Sequence, residues 1–187
     1  WWQDFRSFLD QDNLMLDVHV LLNPHISDAW FEQCVESLVQ AEGQSPFPIT
    51  ISMHDPVPGH VGKARKRAFA AAEQPYVSFL DPDDWITPDT FVRLAPSILE
   101  DVDAARTAGK LVMPNGKLIP HVVGFFICKK EIAMQVDWDN RQEACSREKM
   151  CGTCELQRIA NPRFVEGHCY YRRYGYGSWA SKNQRKN

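Results

Sequence analysis

Residues 76–84 read Tyr-Val-Ser-Phe-Leu-Asp-Pro-Asp-Asp, a short apolar run that ends at three carboxylates. The run does not alternate apolar with polar residues, which predicts a strand buried on both faces of a parallel sheet. Ligands of such sheets bind just past the carboxyl ends of the strands. Neighbouring acids repel one another unless a cation joins them, and Mg²⁺ or Mn²⁺ prefers oxygen ligands. The stretch therefore predicts a metal site; the alternative is a polar turn before a helix that begins with Thr87 as N-cap and Pro88 at N1.

Two strand-and-helix units precede this strand. Strands are predicted at residues 15–22 and 48–53, and helices with apolar residues at helical spacing at 27–41 and 63–73. Such alternation predicts an α/β fold whose mainly parallel sheet is flanked by helices. Three strand ends would then converge on one crevice, namely residues 23–25, 54–55 and 81–84.

The pattern changes beyond Asp84. A helix from Pro88 is expected to bend or end at Pro96. The later predictions are strands at 111–113, 117–123 and 125–128, a turn at 114–116 and a short helix at 131–136. No periodicity is recognisable after that, which predicts a small irregular C-terminal region.

Composition limits the class of protein. The 187 residues are 44% apolar and 24% charged, which suits one soluble domain with its own core. No apolar stretch approaches the ~20 residues of a membrane span. The start, residues 1–5, lacks the pattern of a signal peptide, so a cytoplasmic location is expected. A net charge of −3 argues against a general electrostatic affinity for nucleic acid.

Residues 59–68 read Gly-His-Val-Gly-Lys-Ala-Arg-Lys-Arg-Ala, a glycine-containing loop that leads into a basic helix start. A surface of solvated charges is one interpretation. Backbone N–H groups and the helix dipole at such a position also favour an anion. With carboxylates at the next strand end, the crevice suits a diphosphate bridged by a metal ion.

These two stretches, with Trp85 and residues 88–90, resemble the family-2-type inverting nucleotide-sugar glycosyltransferases, which have the GT-A (Rossmann-like) fold. The resemblance covers residues 18–90 and, more loosely, 124–134. It implies metal-dependent transfer of a sugar from a nucleoside-diphosphate sugar, usually a UDP-sugar, to an acceptor hydroxyl. It also implies one domain over 1–187, with a nucleotide-sugar-binding half (1–100) and an acceptor-side half with a Cys/Tyr-rich tail (101–187).

The resemblance implies roles at the strand ends. Asn23 and His25 fall where the first loop touches the nucleotide, and Asp55 where an acid meets the base. Arg65 matches an arginine near the base or pyrophosphate. The chain departs from the family in having His54 where a first aspartate is usual.

The resemblance also implies the metal shell. Asp81 would contact ribose or metal and Asp83 the metal. Apart from the resemblance, the position of Asp84 at the end of the turn predicts that it supports the loop. Residues 168–178 resemble the closing segment Tyr-Arg-x-His-Pro-Gly-Ser, which implies Arg172 near phosphate. Tyr174 stands at the usual histidine position, so the histidine ligand is lost or supplied by His168.

The general base has no clean counterpart. An inverting transfer needs a base to take the proton of the acceptor hydroxyl. Residues 152–156, Gly-Thr-Cys-Glu-Leu, occupy the neighbourhood of the family's Glu-Asp pair. Glu155 is the first candidate, and the weaker candidates are Asp137, Asp139 and Glu143.

Six cysteines are present. Cys34 and Cys128 lie in apolar segments and are expected to be inert core thiols. The other four allow either a structural zinc site or plain thiols, since Cys-x2-Cys is a common half-site and a cytosolic chain argues against disulfides. They are Cys145, Cys151, Cys154 and Cys169.

The acceptor and two rival functions stay open. The acceptor is a glycan or a hydroxymethylated base in DNA, and the basic, aromatic C-terminus would suit the latter. A nucleotidyltransferase would have a glycine loop directly after the first strand, where residues 23–26 contain none. A non-catalytic nucleotide-binding module of the same fold is favoured by the missing Glu-Asp pair.

Overall fold

The computed structural model describes residues 15–58, 60–121, 124–139 and 151–174. Within these ranges the elements, in chain order, are β1 Leu16–Leu21, α1 Asp28–Gln44, β2 Ile49–His54, α2 Val61–Ala71, β3 Tyr76–Leu80, β4 Trp85–Ile86, α3 Thr90–Leu99, β5 Ala104–Val112, β6 Leu118–His121, β7 Phe126–Lys129, α4 Lys130–Ala133, α5 Gly152–Ala160 and β8 Arg163–Arg173.

All eight strands belong to one mixed sheet. Their order is β2-β1-β3-β7-β5-β8-β4, and β6 pairs with β5. The strand β1 lies parallel to β2 and β3, while β7 lies antiparallel to β3 and β5. Leu21 is level with His54, and Val20 with Leu80, so the carboxyl ends of the first three strands lie side by side. The predicted α/β fold with helices flanking a mainly parallel or mixed sheet is confirmed.

The sheet is buried on both faces in its centre. All six residues of β1 are buried although Asp17 and His19 interrupt its apolar pattern, and the buried Asp17 carboxylate accepts the N–H groups of residues 73 and 74. One face packs on α1 and α3 through Leu38, Phe91 and Leu94. The other face packs on α2 and α5 through Phe69 and Leu156, with Trp138 between them.

The helices differ from their predicted bounds by one to three residues, and for two of them the reason is visible. The helix α1 continues through Gly43 to Gln44 and ends directly before Ser45 and Pro46, because one glycine costs a helix only about 1 kcal/mol whereas proline cannot continue it. The helix α3 begins after Asp89 as N-cap, not at Thr87, because β4 pairs with β8 and draws the N–H of Thr87 to the Cys169 carbonyl. Pro96 lies inside α3, where buried apolar residues on both sides keep the helix in place.

The C-terminal half is more regular than its sequence indicates. The turn at Pro114-Asn115-Gly116 is confirmed, and Gly116 has the positive φ of +79° that favours glycine. The strand β5 begins at Ala104, seven positions before the predicted start at 111. The unpredicted β8 lies parallel to β5 and antiparallel to β4. No helix in the described parts of the chain is both long enough and apolar enough to cross a membrane.

Candidate functional site

The acid turn, residues 81–84, follows β3 directly and is held against β8. The N–H of Asp84 donates to the Asp81 carbonyl at 3.0 Å, which closes the turn. Asp84 is only 1% exposed, and its carboxylate accepts hydrogen bonds from the Tyr170 hydroxyl and from the Arg173 N–H at 3.0 Å. Asp84 therefore supports the loop, as the sequence predicts.

The other two carboxylates of the turn repel each other. Burial and the nearby charge of Asp81 raise the pKa of Asp83 to about 6. Burial also raises the pKa of Asp84, and the charges of Asp83 and Asp81 add to that effect. Arg172 lies close enough to all three acids to interact with them electrostatically. A divalent cation between Asp81 and Asp83 would offset the repulsion, so this donor set fits Mg²⁺ or Mn²⁺, which need one or two carboxylates beside phosphate and water.

Arg65 connects three elements at the crevice. It lies near the start of α2 and is 9% exposed. Its Nη2 donates to Asp81 Oδ1 at 2.7 Å, and its Nη1 donates to the hydroxyl of Thr153 on α5 at 2.8 Å. The guanidinium lies 4.0 Å from the ring centroid of Phe79. Its buried Nε has no hydrogen-bond partner within the described ranges.

Arg173 forms a second cationic contact with the acid turn, which the sequence did not predict. It donates to the Asp83 carbonyl and to the side chain of Gln33 on α1. Its guanidinium carbon lies 4.8 Å from the ring centroid of Trp30 and 4.5 Å from that of Trp85. Successive side chains of a strand point to opposite faces of the sheet. A prediction of β8 as a strand would therefore have placed Arg172 and Arg173 on opposite faces.

The first two strand ends hold the other predicted donor residues. Asn23 and His25 follow β1, and the Asn23 side chain accepts the His25 N–H at 3.0 Å. Asp55 follows β2 and is exposed. Its carbonyl accepts a hydrogen bond from Arg67 on α2. These residues therefore lie at the carboxyl ends of the strands, where the acid turn also lies.

Two histidines on β1 and β2 form a pair that the sequence did not predict. His19 Nδ1 and His54 Nε2 are 2.8 Å apart, and His19 is 2% exposed against Phe69. Burial, with a smaller contribution from His54, lowers the pKa of His19 from 6.5 to about 4. Burial and Arg67 also lower the pKa of His54.

We expect the pair to make the protein less stable in mild acid. The unfolded chain binds a proton at His19 near pH 6.5, whereas the folded chain resists it down to about pH 4. The contribution of His19 is therefore complete above pH 6.5 and is lost as the pH falls to about 4, which costs roughly 3 kcal/mol. Urea unfolding at several pH values across this range measures how steeply the free energy of unfolding changes with pH. His19→Gln should flatten it and the exposed His168→Gln should not; an equal slope in His19→Gln would contradict the assignment.

The candidate bases lie in different surroundings. Glu155 is 8% exposed on α5, two residues beyond the Thr153 that contacts Arg65. Asp139 forms an exposed ion pair with Lys66. Asp137 is exposed. Glu143 lies outside the described residues.

The structure does not bring His168 to the acid turn, nor does it assemble the four-cysteine zinc site. His168 is exposed on β8 with its Nδ1 3.2 Å from the Gly109 carbonyl oxygen. Cys169 packs beside Thr90, whereas Cys151 and Cys154 lie together at the start of α5. Cys145 lies outside the described residues. Across the described ranges, no three His, Cys, Asp or Glu side chains are grouped to hold a metal ion.

The Glycosyl transferase family 2 profile matches residues 47–142, slightly more than half of the chain. The matched segment contains Asp55, Arg65, Asp81 and Asp83. No curated protein matches the chain in sequence.

Solved structures share the fold. Staphylococcus aureus TarS 1–349 in complex with UDP-GlcNAc has a TM-score of 0.61 at 19% identity, over 88% of this chain and 60% of TarS. The same protein with UDP has a TM-score of 0.60 at 17% identity, over 86% and 61%. The bifunctional IspDF from Campylobacter jejuni has a TM-score of 0.51 at 12% identity, over 82% and 50%. The chain thus spans about three fifths of the TarS 1–349 length.

Proposed function

Because the chain belongs to glycosyl transferase family 2, we propose that it transfers a sugar from a nucleoside-diphosphate sugar to an acceptor hydroxyl, with inversion at the anomeric carbon. The observation that carries this proposal is the buried Arg65 at the end of three parallel strands. It is bonded to Asp81 and Thr153 while its Nε has no partner among the described residues. A buried guanidinium with an unused donor suits an anionic ligand.

UDP is the proposed nucleotide, since TarS, which shares this fold, was solved with UDP and with UDP-GlcNAc. In this proposal Asn23, His25 and Asp55 bind the nucleoside, because they follow the two strands nearest one edge of the sheet. Arg65 and Arg172 bind the diphosphate, because both carry positive charge beside the acid turn.

Asp81 and Asp83 are the proposed ligands of Mg²⁺ or Mn²⁺. Such an ion would neutralise the negative charge that develops on the departing nucleoside diphosphate. Arg172, on β8, helps to neutralise the same negative charge. Asp84 holds the turn in place through its hydrogen bond with Tyr170. His168 is not part of this proposed set, because it lies apart from the two carboxylates.

Glu155 is the proposed general base, which takes the proton from the acceptor hydroxyl as its oxygen attacks the anomeric carbon. The acceptor-side half, residues 101–187, is proposed to bind the acceptor. The two candidate acceptors are a glycan and a hydroxymethylated base in DNA. Incubating the protein with labelled UDP-glucose and each acceptor in turn tests which of them receives the sugar. Arg172 and Arg173 of the basic C-terminus that favours DNA are described, whereas Lys182, Arg185 and Lys186 lie outside the described residues.

One observation favours a nucleotide-binding module without catalysis. The α5 residue that reaches Arg65 is Thr153, which carries no carboxylate. A module would bind UDP but neither transfer nor hydrolyse a UDP-sugar. Slow release of UDP from a UDP-sugar, measured by a coupled assay, would support the enzyme instead.

We expect Arg65→Lys to weaken UDP binding about 10- to 100-fold, because a lysine cannot reach Asp81, Thr153 and a phosphate at once, and hydrogen bonds to charged groups contribute about 1.5–3 kcal/mol each. Titration calorimetry with Mn²⁺ measures the change. Arg93→Lys, in an exposed ion pair on α3, is the matched control and should bind UDP as the wild type does. Unchanged affinity in Arg65→Lys would remove Arg65 from the donor site.

A further inference from the structure

The sequence Cys151-Gly152-Thr153-Cys154 forms the first turn of α5. Cys151 is the N-cap, and its Sγ accepts the N–H of Cys154 at 3.4 Å. Residues three apart at a helix start have Cα atoms roughly 5 Å apart, which lies within the range that a disulfide spans. The five described cysteines, these two included, form no disulfide in this structure.

The two thiols differ in their access to solvent. Cys151 is 9% exposed, whereas Cys154 is half-buried. The amides at a helix N-terminus favour negative charge, and the thiolate is the form that reacts with disulfides. A Cys-x2-Cys pair at such a position is the arrangement of dithiols that cycle between reduced and oxidised forms.

The same turn is connected to the crevice. Thr153, between the two cysteines, accepts a hydrogen bond from Arg65, which in turn donates to Asp81. Gly152 packs so closely on Trp138 that an added Cβ would lie 2.6 Å from the ring, so the turn cannot move in that direction. Sulfur atoms that bond must approach to about 2.0 Å, so the Cys151 side chain has to turn toward the Cys154 sulfur, which disturbs the hydrogen bond from the Cys154 N–H to Cys151 Sγ that caps the turn carrying Thr153.

We propose that Cys151 and Cys154 form a reversible disulfide that weakens the Arg65–Thr153 contact and thereby the binding of nucleotide. The oxidant is a low-molecular-weight disulfide such as oxidised glutathione. The Cys154 thiolate attacks one of its sulfurs, forms a mixed disulfide and releases one thiolate. The Cys151 thiolate then attacks the Cys154 sulfur, closes the internal disulfide and releases the second thiolate. The released thiolates take up the two protons lost by the cysteines. The two cysteine sulfurs give up two electrons, which reduce the S–S bond of the oxidant.

The chemical test is mass spectrometry of the whole chain after incubation with mixtures of oxidised and reduced glutathione. Thiols are blocked, and trypsin then releases residues 150–158, which contain these two cysteines and no other. We expect this peptide to be unblocked and lighter by two hydrogens. Cys145→Ser should give the same peptide, and Cys151→Ser should keep glutathione on Cys154. Two blocked thiols at every mixture, a disulfide to another cysteine, or one bound zinc per reduced chain would each overturn the proposal.

The coupling to nucleotide rests on the proposed function and has its own test. Calorimetry should show that oxidation weakens UDP binding about fivefold, the effect of losing one ordinary hydrogen bond. The double variant Cys151→Ser/Cys154→Ser should bind equally before and after oxidant, and thermal unfolding checks that it folds. Equal affinities of the oxidised and reduced wild type would overturn the coupling. If the disulfide forms but neither state binds UDP, the proposed function fails and the modification site stands.

Discussion

Asp83→Asn should abolish Mn²⁺-dependent UDP binding and lower sugar transfer by at least about 10³-fold, equivalent to some 4 kcal/mol. The substitution keeps the shape of the side chain and removes its charge. Asp81 alone then has to hold the cation while its carboxylate also accepts a hydrogen bond from Arg65. Titration calorimetry with and without Mn²⁺ measures the binding, and release of UDP measures turnover.

The same substitution should not harm the fold. Burial and Asp81 both disfavour the charged form of Asp83, so removing that charge should raise the melting temperature of the metal-free protein. Asp103→Asn is the matched control, because that exposed acid pairs with Lys129 away from the crevice. Mn²⁺-dependent binding of normal strength in Asp83→Asn would remove the carboxylate from the metal assignment.

Glu155→Gln should lower turnover by roughly 10²- to 10⁴-fold, the usual contribution of a general base, and should leave UDP affinity within about twofold of the wild type. The amide keeps the shape of the buried side chain and cannot take a proton. The acidic limb of the pH–rate profile should disappear in this variant, which a purely structural role would not cause. Glu143→Gln is the comparison, since that acid is one of the three weaker candidates in the same half of the chain.

Two outcomes would contradict this assignment. Turnover within about threefold of the wild type would show that another group takes the proton. Loss of UDP binding together with turnover would show that Glu155 positions α5, and through Thr153 also Arg65, instead of acting on the acceptor.

The strand ends of the first half could be predicted from local pattern. Residues 76–80 form the expected buried strand, and β1 and β2 lie within a residue or two of their predicted bounds. Short runs rich in apolar and β-branched residues that end at polar loops are local signals, and parallel pairing then brings the carboxyl ends of the strands together. The supporting role of Asp84 was predicted as well and is confirmed by its bonds to β8.

The second half could not be predicted in this way. The strand β8 mixes charged, aromatic and small residues without a regular apolar pattern, and only Cys169 and Tyr170 within it are buried. The contacts of Arg173 and Thr153 join residues 90 and 88 positions apart, and no local pattern indicates such contacts. The pairing of His19 with His54 likewise requires the register of β1 with β2.

By itself, the sequence determined the α/β alternation, the buried strand that ends at three acids and the basic helix start before it, since each depends on neighbouring residues. Only the tertiary structure decided which charges meet the acid turn: Arg65 on Asp81, Arg173 on the Asp83 carbonyl, and Tyr170 on Asp84. It also separated His168 from that turn and Cys169 from the Cys151–Cys154 pair. These outcomes depend on how β8 and α5 pack on the sheet, which is a property of the whole fold.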